Sequence, residues 1–122
     1  MRHLYLIFVI SSCLTQAQVN HWETVVLPGD SWNYITPTSQ PNSNWNQLGF
    51  NASSWNTGNS GFGYGDDDDA TIVANTMSVY IRRTFQIINA SDIEQVILDI
   101  DYDDSFVAYI NGQEIARNLL SG

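Results

Sequence analysis

The chain has 122 residues, 43% of them apolar, which fits one globular domain at most. Its formal net charge is −9, and all four of its basic residues are arginines. So acidic a surface repels phosphate backbones and anionic lipid, which argues against nucleic acid and membrane-surface partners.

The chain opens with a short basic start, Met1-Arg2-His3, followed by an unbroken apolar run from Leu4 to Ile10. Thr15-Gln16-Ala17 then supplies small residues at the positions a signal peptidase reads before Gln18. This pattern predicts a signal peptide over residues 1–17, cleavage after Ala17 and a secreted or cell-surface protein. The run is too short for a membrane span. Ile10-Ser11-Ser12-Cys13 offers a second route, a lipoprotein box with Cys13 lipidated. Cys13 is the single cysteine, so cleavage after Ala17 leaves no disulfide or thiol chemistry.

Residues 18–122 are expected to form one β domain. Val25-Val26-Leu27 and Trp32-Asn33-Tyr34-Ile35 predict two early strands around the turn Pro28-Gly29-Asp30. Residues 36–76 are polar and glycine-rich. Their spaced rings, Trp45, Phe50, Trp55, Phe62 and Tyr64, argue for an ordered, loop-rich layer rather than a linker. Period-two patterning predicts a half-buried strand over 79–87, with Arg83 interrupting its apolar face, and a second over 95–102. Asp103-Asp104-Ser105 is a turn. Phe106–Ile110 and Gln113–Arg117 read as a hairpin joined by Asn111-Gly112, a pair suited to a type I′ turn. No segment has a convincing helical period, so the expected fold is all-β, most simply a sandwich.

Three stretches together carry a family resemblance: Gly61-Phe62-Gly63-Tyr64-Gly65-Asp66 after Trp45, Phe50 and Trp55; Val79-Tyr80-Ile81-Arg82-Arg83-Thr84-Phe85; and Tyr102 through Arg117 with Tyr109-Ile110-Asn111-Gly112 inside it. The set resembles a galactose-binding-domain-like jelly roll of large secreted bacterial proteins. Such proteins often carry a spore-coat-H (CotH) kinase-like domain, a lamin-tail domain or a C-terminal sorting signal. The Tyr-Ile-Asn-Gly segment is also similar to the sugar-binding domain of family 2 glycoside hydrolases. The resemblance covers about residues 22–118 and implies a jelly-roll module that is incomplete at its C-terminus, with further strands expected beyond Gly122. Strands left without neighbours would expose open edges and an apolar face.

Four adjacent carboxylates, Asp66, Asp67, Asp68 and Asp69, repel one another unless solvated, paired or metal-bound, and calcium is the candidate ion for such an oxygen-rich loop. The run lacks the EF-hand spacing, so a solvated loop is the plainer expectation. Asp99, Asp101 and Asp103 share the polar face of the 95–102 segment. Arg82 is the expected compensating charge, while Arg83 is expected to pair with a carboxylate at the sandwich end. Trp32, Trp45, Trp55 and Tyr64 offer flat faces to a sugar ring or, more plainly, fill the core. The candidate ligand-binding set is Trp55, Tyr64, Arg82, Asp103 and Asp104. No nucleophile–base pair, phosphate loop or Cys/His metal spacing is legible, so no catalytic residue is assigned. The expected function is a non-catalytic accessory β-sandwich that binds carbohydrate or packs on neighbouring domains of a longer chain. The alternative is the N-terminal fragment of a multidomain enzyme, a glycoside hydrolase or CotH-kinase-like protein, with its active site beyond residue 122.

Overall fold

The computed structural model describes residues 21–65, 67–74 and 76–119. The leader, with Cys13 and Ala17, lies outside the described residues, as does Asp66. Turn chemistry sets the first strand. Proline and glycine occupy the two centres of the turn Leu27–Asp30, Gly29 has φ of 81°, and the Asp30 amide donates to the Leu27 carbonyl at 3.1 Å. That arrangement satisfies a type II turn. The Leu27 amide also donates to Asp30 Oδ2 at 2.8 Å. Val25 and Leu27 are therefore the approach to a turn, not the expected strand.

Strand β1 (Ser31–Ile35) follows and becomes the centre of an antiparallel three-stranded sheet. One neighbour is β2 (Asn56–Asn59), with Trp32 opposite Gly58; the other is β5 (Tyr80–Arg82), with Tyr34 opposite Ile81. Between them in the chain, β3 (Phe62–Gly63) and β4 (Thr71–Ile72) form a short parallel ribbon. Alternation puts Trp32, Tyr34 and Ile81 on one face of the sheet and Asn33, Ile35, Tyr80 and Arg82 on the other. The ribbon covers the first face: the Tyr34 and Phe62 rings lie 5.2 Å apart. At Gly58 a Cβ would come within 2.6 Å of Thr71 Oγ1, so only glycine allows this approach.

The loop 41–55 covers the second face. It folds as successive tight turns, with amide-to-carbonyl bonds Trp45 to Asn42, Gln47 to Asn44, Phe50 to Gln47 and Trp55 to Ala52 at 2.9–3.2 Å. These turns gather the rings. Trp45 meets Trp55 at 6.3 Å, the Tyr80 edge at 5.1 Å and the Tyr109 edge at 5.8 Å, and Phe50 meets Trp55 at 5.5 Å. Such pairs contribute about 0.5–1.5 kcal/mol each beyond the area they bury. Among the described residues only Ala52 and Val73 are buried apolar side chains, so the rings carry the packing.

Tyr109 belongs to the hairpin of β6 (Phe106–Ile110) and β7 (Gln113–Asn118). Asn111 and Gly112 have φ of 49° and 80°, the two positive values that a type I′ turn requires. A bulge between Ala108 and Tyr109 shifts the register beside the ring that meets Trp45. A Cβ on Gly112 would collide with the Gln47 side-chain amide, so the turn rests on the aromatic loop.

The all-β class stands: among the described residues the single helical element is a 3₁₀ turn at Ala90–Asp92. Two further expected strands are corrected. The 79–87 strand shrinks to Tyr80–Arg82, because the Ser31 carbonyl, at the end where pairing would extend, accepts instead from Arg83 Nη1 at 3.0 Å. The 95–102 strand is absent. Its period-two pattern is real, but no described segment lies alongside to accept its backbone.

Candidate functional site: a polar cleft on the three-stranded sheet

The start of β1 and the end of β5 leave a cleft of about 300 Å³, lined by Ser31, Trp32, Asn33, Thr57, Arg82, Arg83 and Thr84. Its floor is built by Arg83. Nη2 pairs with Asp30 Oδ2 at 3.1 Å, with both side chains about one quarter exposed, and Nη1 holds the Ser31 carbonyl. The expected partner for Arg83, a carboxylate at the end of the sheet, is thus Asp30. The turn Leu27–Asp30 positions that carboxylate, and the Gly29 amide ties the turn to Ser60 Oγ at 2.7 Å.

Two residues that line the cleft carry a donor with no acceptor. Arg83 Nε and Trp32 Nε1 are both buried and make no hydrogen bond. A buried donor left unsatisfied costs about 1–3 kcal/mol, so these two nitrogens are a local cost of the packing. Around them stand Ser31, Thr57 and Thr84 hydroxyls and the Asn33 amide, groups that both donate and accept. Two guanidiniums against one carboxylate leave the cleft locally positive in an acidic protein.

Arg82 lines the same cleft, yet most of its guanidinium is engaged in fastening the loop. Nη1 donates to the Phe50 carbonyl at 2.8 Å, Nη2 to the Gln47 carbonyl at 3.1 Å, and Cζ lies 5.3 Å from the Phe50 ring centre. It does not compensate Asp99, Asp101 or Asp103 as the alternation suggested, since none of its bonds reaches them. Trp55 joins Arg82 through Phe50 but is half-buried between Trp45 and Phe50. Tyr64 is 52% exposed and takes no part in the ring cluster. Asp103 and Asp104 are exposed at the bend before β6 and line no part of the cleft.

Of the acidic run, Asp67 and Asp68 are exposed, and the Asp69 carboxylate sits against Gly63, where a Cβ would collide with it. Among the described residues no three His, Cys, Asp or Glu side chains gather to hold a metal ion. On the hairpin, Arg117 hydrogen-bonds Glu114 and holds its carboxyl below the usual glutamate range.

Sequence reasoning missed Trp32 Nε1, Asn33, Thr57 and Thr84 as one group, because they converge only once β1, β2 and β5 pair. Three members were legible: Arg83 as a charge interrupting an apolar face, Arg82 in the candidate ligand-binding set, and Trp32 as a flat face for a sugar ring. No helix among the described residues is long and apolar enough to cross a membrane. No protein-family model, characterised protein or solved structure matches the chain, so the functional reading rests on this geometry.

Proposed function

We propose that the chain is a non-catalytic accessory module of a secreted or cell-surface protein, a jelly-roll-like β-sandwich that binds carbohydrate in the cleft between β1 and β5. The observation that carries this reading is a cleft lined by the hydroxyl-bearing Ser31, Thr57 and Thr84, the Asn33 amide and two arginines beside the Trp32 indole. Sugars present many hydroxyls that both accept and donate, together with C–H faces that suit an aromatic wall. A volume of about 300 Å³ lies at the small end of ligand pockets, which span about 300–1,000 Å³. That size fits one or two rings. The leader pattern of residues 1–17 supports export, where such ligands occur.

Glycan-array screening of the full chain, followed by calorimetric titration of the best ligand, tests the reading. Asn33→Ala and Thr84→Ala remove cleft groups without touching the Arg83–Asp30 pair, and each is expected to weaken binding about tenfold, the effect of about 1.4 kcal/mol. Trp32 fluorescence should respond to the ligand. Absence of binding to any glycan, or binding that both substitutions leave unchanged, refutes the proposal.

A further inference from the structure

The segment 95–102 and the β6–β7 hairpin present a second surface, remote in character from the polar cleft. Val96, Leu98, Ile100 and Tyr102 recur at period two and are 67%, 45%, 39% and 39% exposed. Val96 and Leu98 form one wall of an apolar crevice of about 520 Å³, and Ile110, Ile115 and Ala116 of the hairpin form the other. Among the described residues, no backbone hydrogen bond involves residues 95–105. A row of unpaired amides and carbonyls with an apolar face is a template for an added strand.

Charge selects the occupant. Asp99 and Asp101 alternate with the apolar residues, Asp103 follows in the same phase, and all three are exposed. The cations among the described residues are engaged elsewhere: Arg82 on the Phe50 and Gln47 carbonyls, Arg83 on Asp30 and Arg117 on Glu114. A second copy pairing through this segment would bring its own aspartates to the same face. Like charges on neighbouring strands destabilise the pair, and the chain has no lysine to offset them.

We infer that this surface docks an extended strand of a partner polypeptide in which apolar residues alternate with lysine or arginine. The apolar side chains enter the crevice beside Leu98 and Ile110. The basic ones lie beside Asp99 and Asp101, and the strand backbone bonds the open edge of 95–102. The inference is independent of carbohydrate binding, since no residue of the crevice lines the polar cleft.

The test uses the full chain and three labelled ten-residue peptides: alternating Val and Lys, alternating Val and Glu, and the Val/Lys composition with its order scrambled. Fluorescence anisotropy should show the Val/Lys peptide binding at least tenfold more tightly than either control. Asp99→Asn with Asp101→Asn should remove about tenfold of that affinity and flatten its salt dependence. Val96→Ser with Leu98→Ser should also weaken it. These four side chains are exposed, so far-UV circular dichroism should remain unchanged, which separates lost docking from lost folding. Equal affinity for all three peptides, no binding, or a homodimer whose assembly excludes the Val/Lys peptide overturns the inference.

Discussion

Replacing Arg82 with methionine tests whether one guanidinium holds the aromatic loop onto the sheet. Methionine keeps the apolar stem and removes three interactions. The bond to the Phe50 carbonyl is part-buried and comes from a charged donor, which sets it at about 1.5–3 kcal/mol. The bond to the Gln47 carbonyl is exposed and contributes less, about 0.5 kcal/mol. The guanidinium over the Phe50 ring adds about 0.5–1 kcal/mol. The expected loss is about 2.5–4.5 kcal/mol, read as a lower urea midpoint. Loss of near-ultraviolet dichroism should accompany it, because Trp45 and Trp55 sit on the loosened loop. Arg82→Lys should recover no more than about half, since one ammonium lacks the planar fork that spans two carbonyls. A methionine variant within about 0.5 kcal/mol of the parent, the range of ordinary surface changes, would refute the clamp. Full recovery with lysine would refute the two-carbonyl geometry.

Trp45→Ala should cost about 2–4 kcal/mol in a urea melt, somewhat below a fully buried tryptophan because the ring is half-buried. Tyr64→Ala, at an exposed position outside the ring cluster, should stay within about 0.5 kcal/mol. Gly112→Ala should lower stability by about 1–2 kcal/mol, since φ of 80° is strained for alanine; the flexible Gln47 amide can swing aside, so Gln47→Ala in the same chain should change that cost little. Because Arg117 lowers the folded-state pKa of Glu114, their pair contributes above the ordinary glutamate range and is lost as pH falls through the lowered value. Hairpin amide protection, corrected for the intrinsic exchange rate at each pH, should therefore fall with acid, and Glu114→Gln should abolish that response; the pair lies at the surface, so added salt should shrink it.

The hairpin was legible because its turn is a local matter: Asn111-Gly112 demands positive φ, and β6 begins and ends where the apolar alternation does. The ordered aromatic layer was legible for a different reason, as rings at such density need partners to cover them. The β3–β4 ribbon was not. A two-residue parallel ladder has no period to detect, and it exists because Thr71 returns to bond Asn59 and Gly61. The 95–102 segment shows the converse. Alternation states which side chains prefer burial, while a strand also needs a neighbour for its amides. The cleft was illegible as a site because its lining comes from three strands, though Arg83 marked the place.

Adjacent positions in a strand face opposite ways, and β5 with its next residue places an arginine on each side. Arg82 reaches the aromatic loop through two carbonyls; Arg83 reaches the Leu27–Asp30 turn through a carboxylate and the start of β1 through a carbonyl. The pair thus joins the central sheet to the segments on both sides of it, where few of the described side chains are buried. Lysine would serve poorly at either place, since each arginine spans two acceptors at fixed spacing. The same arrangement accounts for the unsatisfied nitrogen. With both terminal nitrogens of Arg83 fixed by Asp30 and Ser31, the guanidinium cannot rotate to relieve Nε, so that donor stays buried without a partner. The cleft proposed to bind a ligand is therefore shaped by the contacts that hold the turn to the sheet.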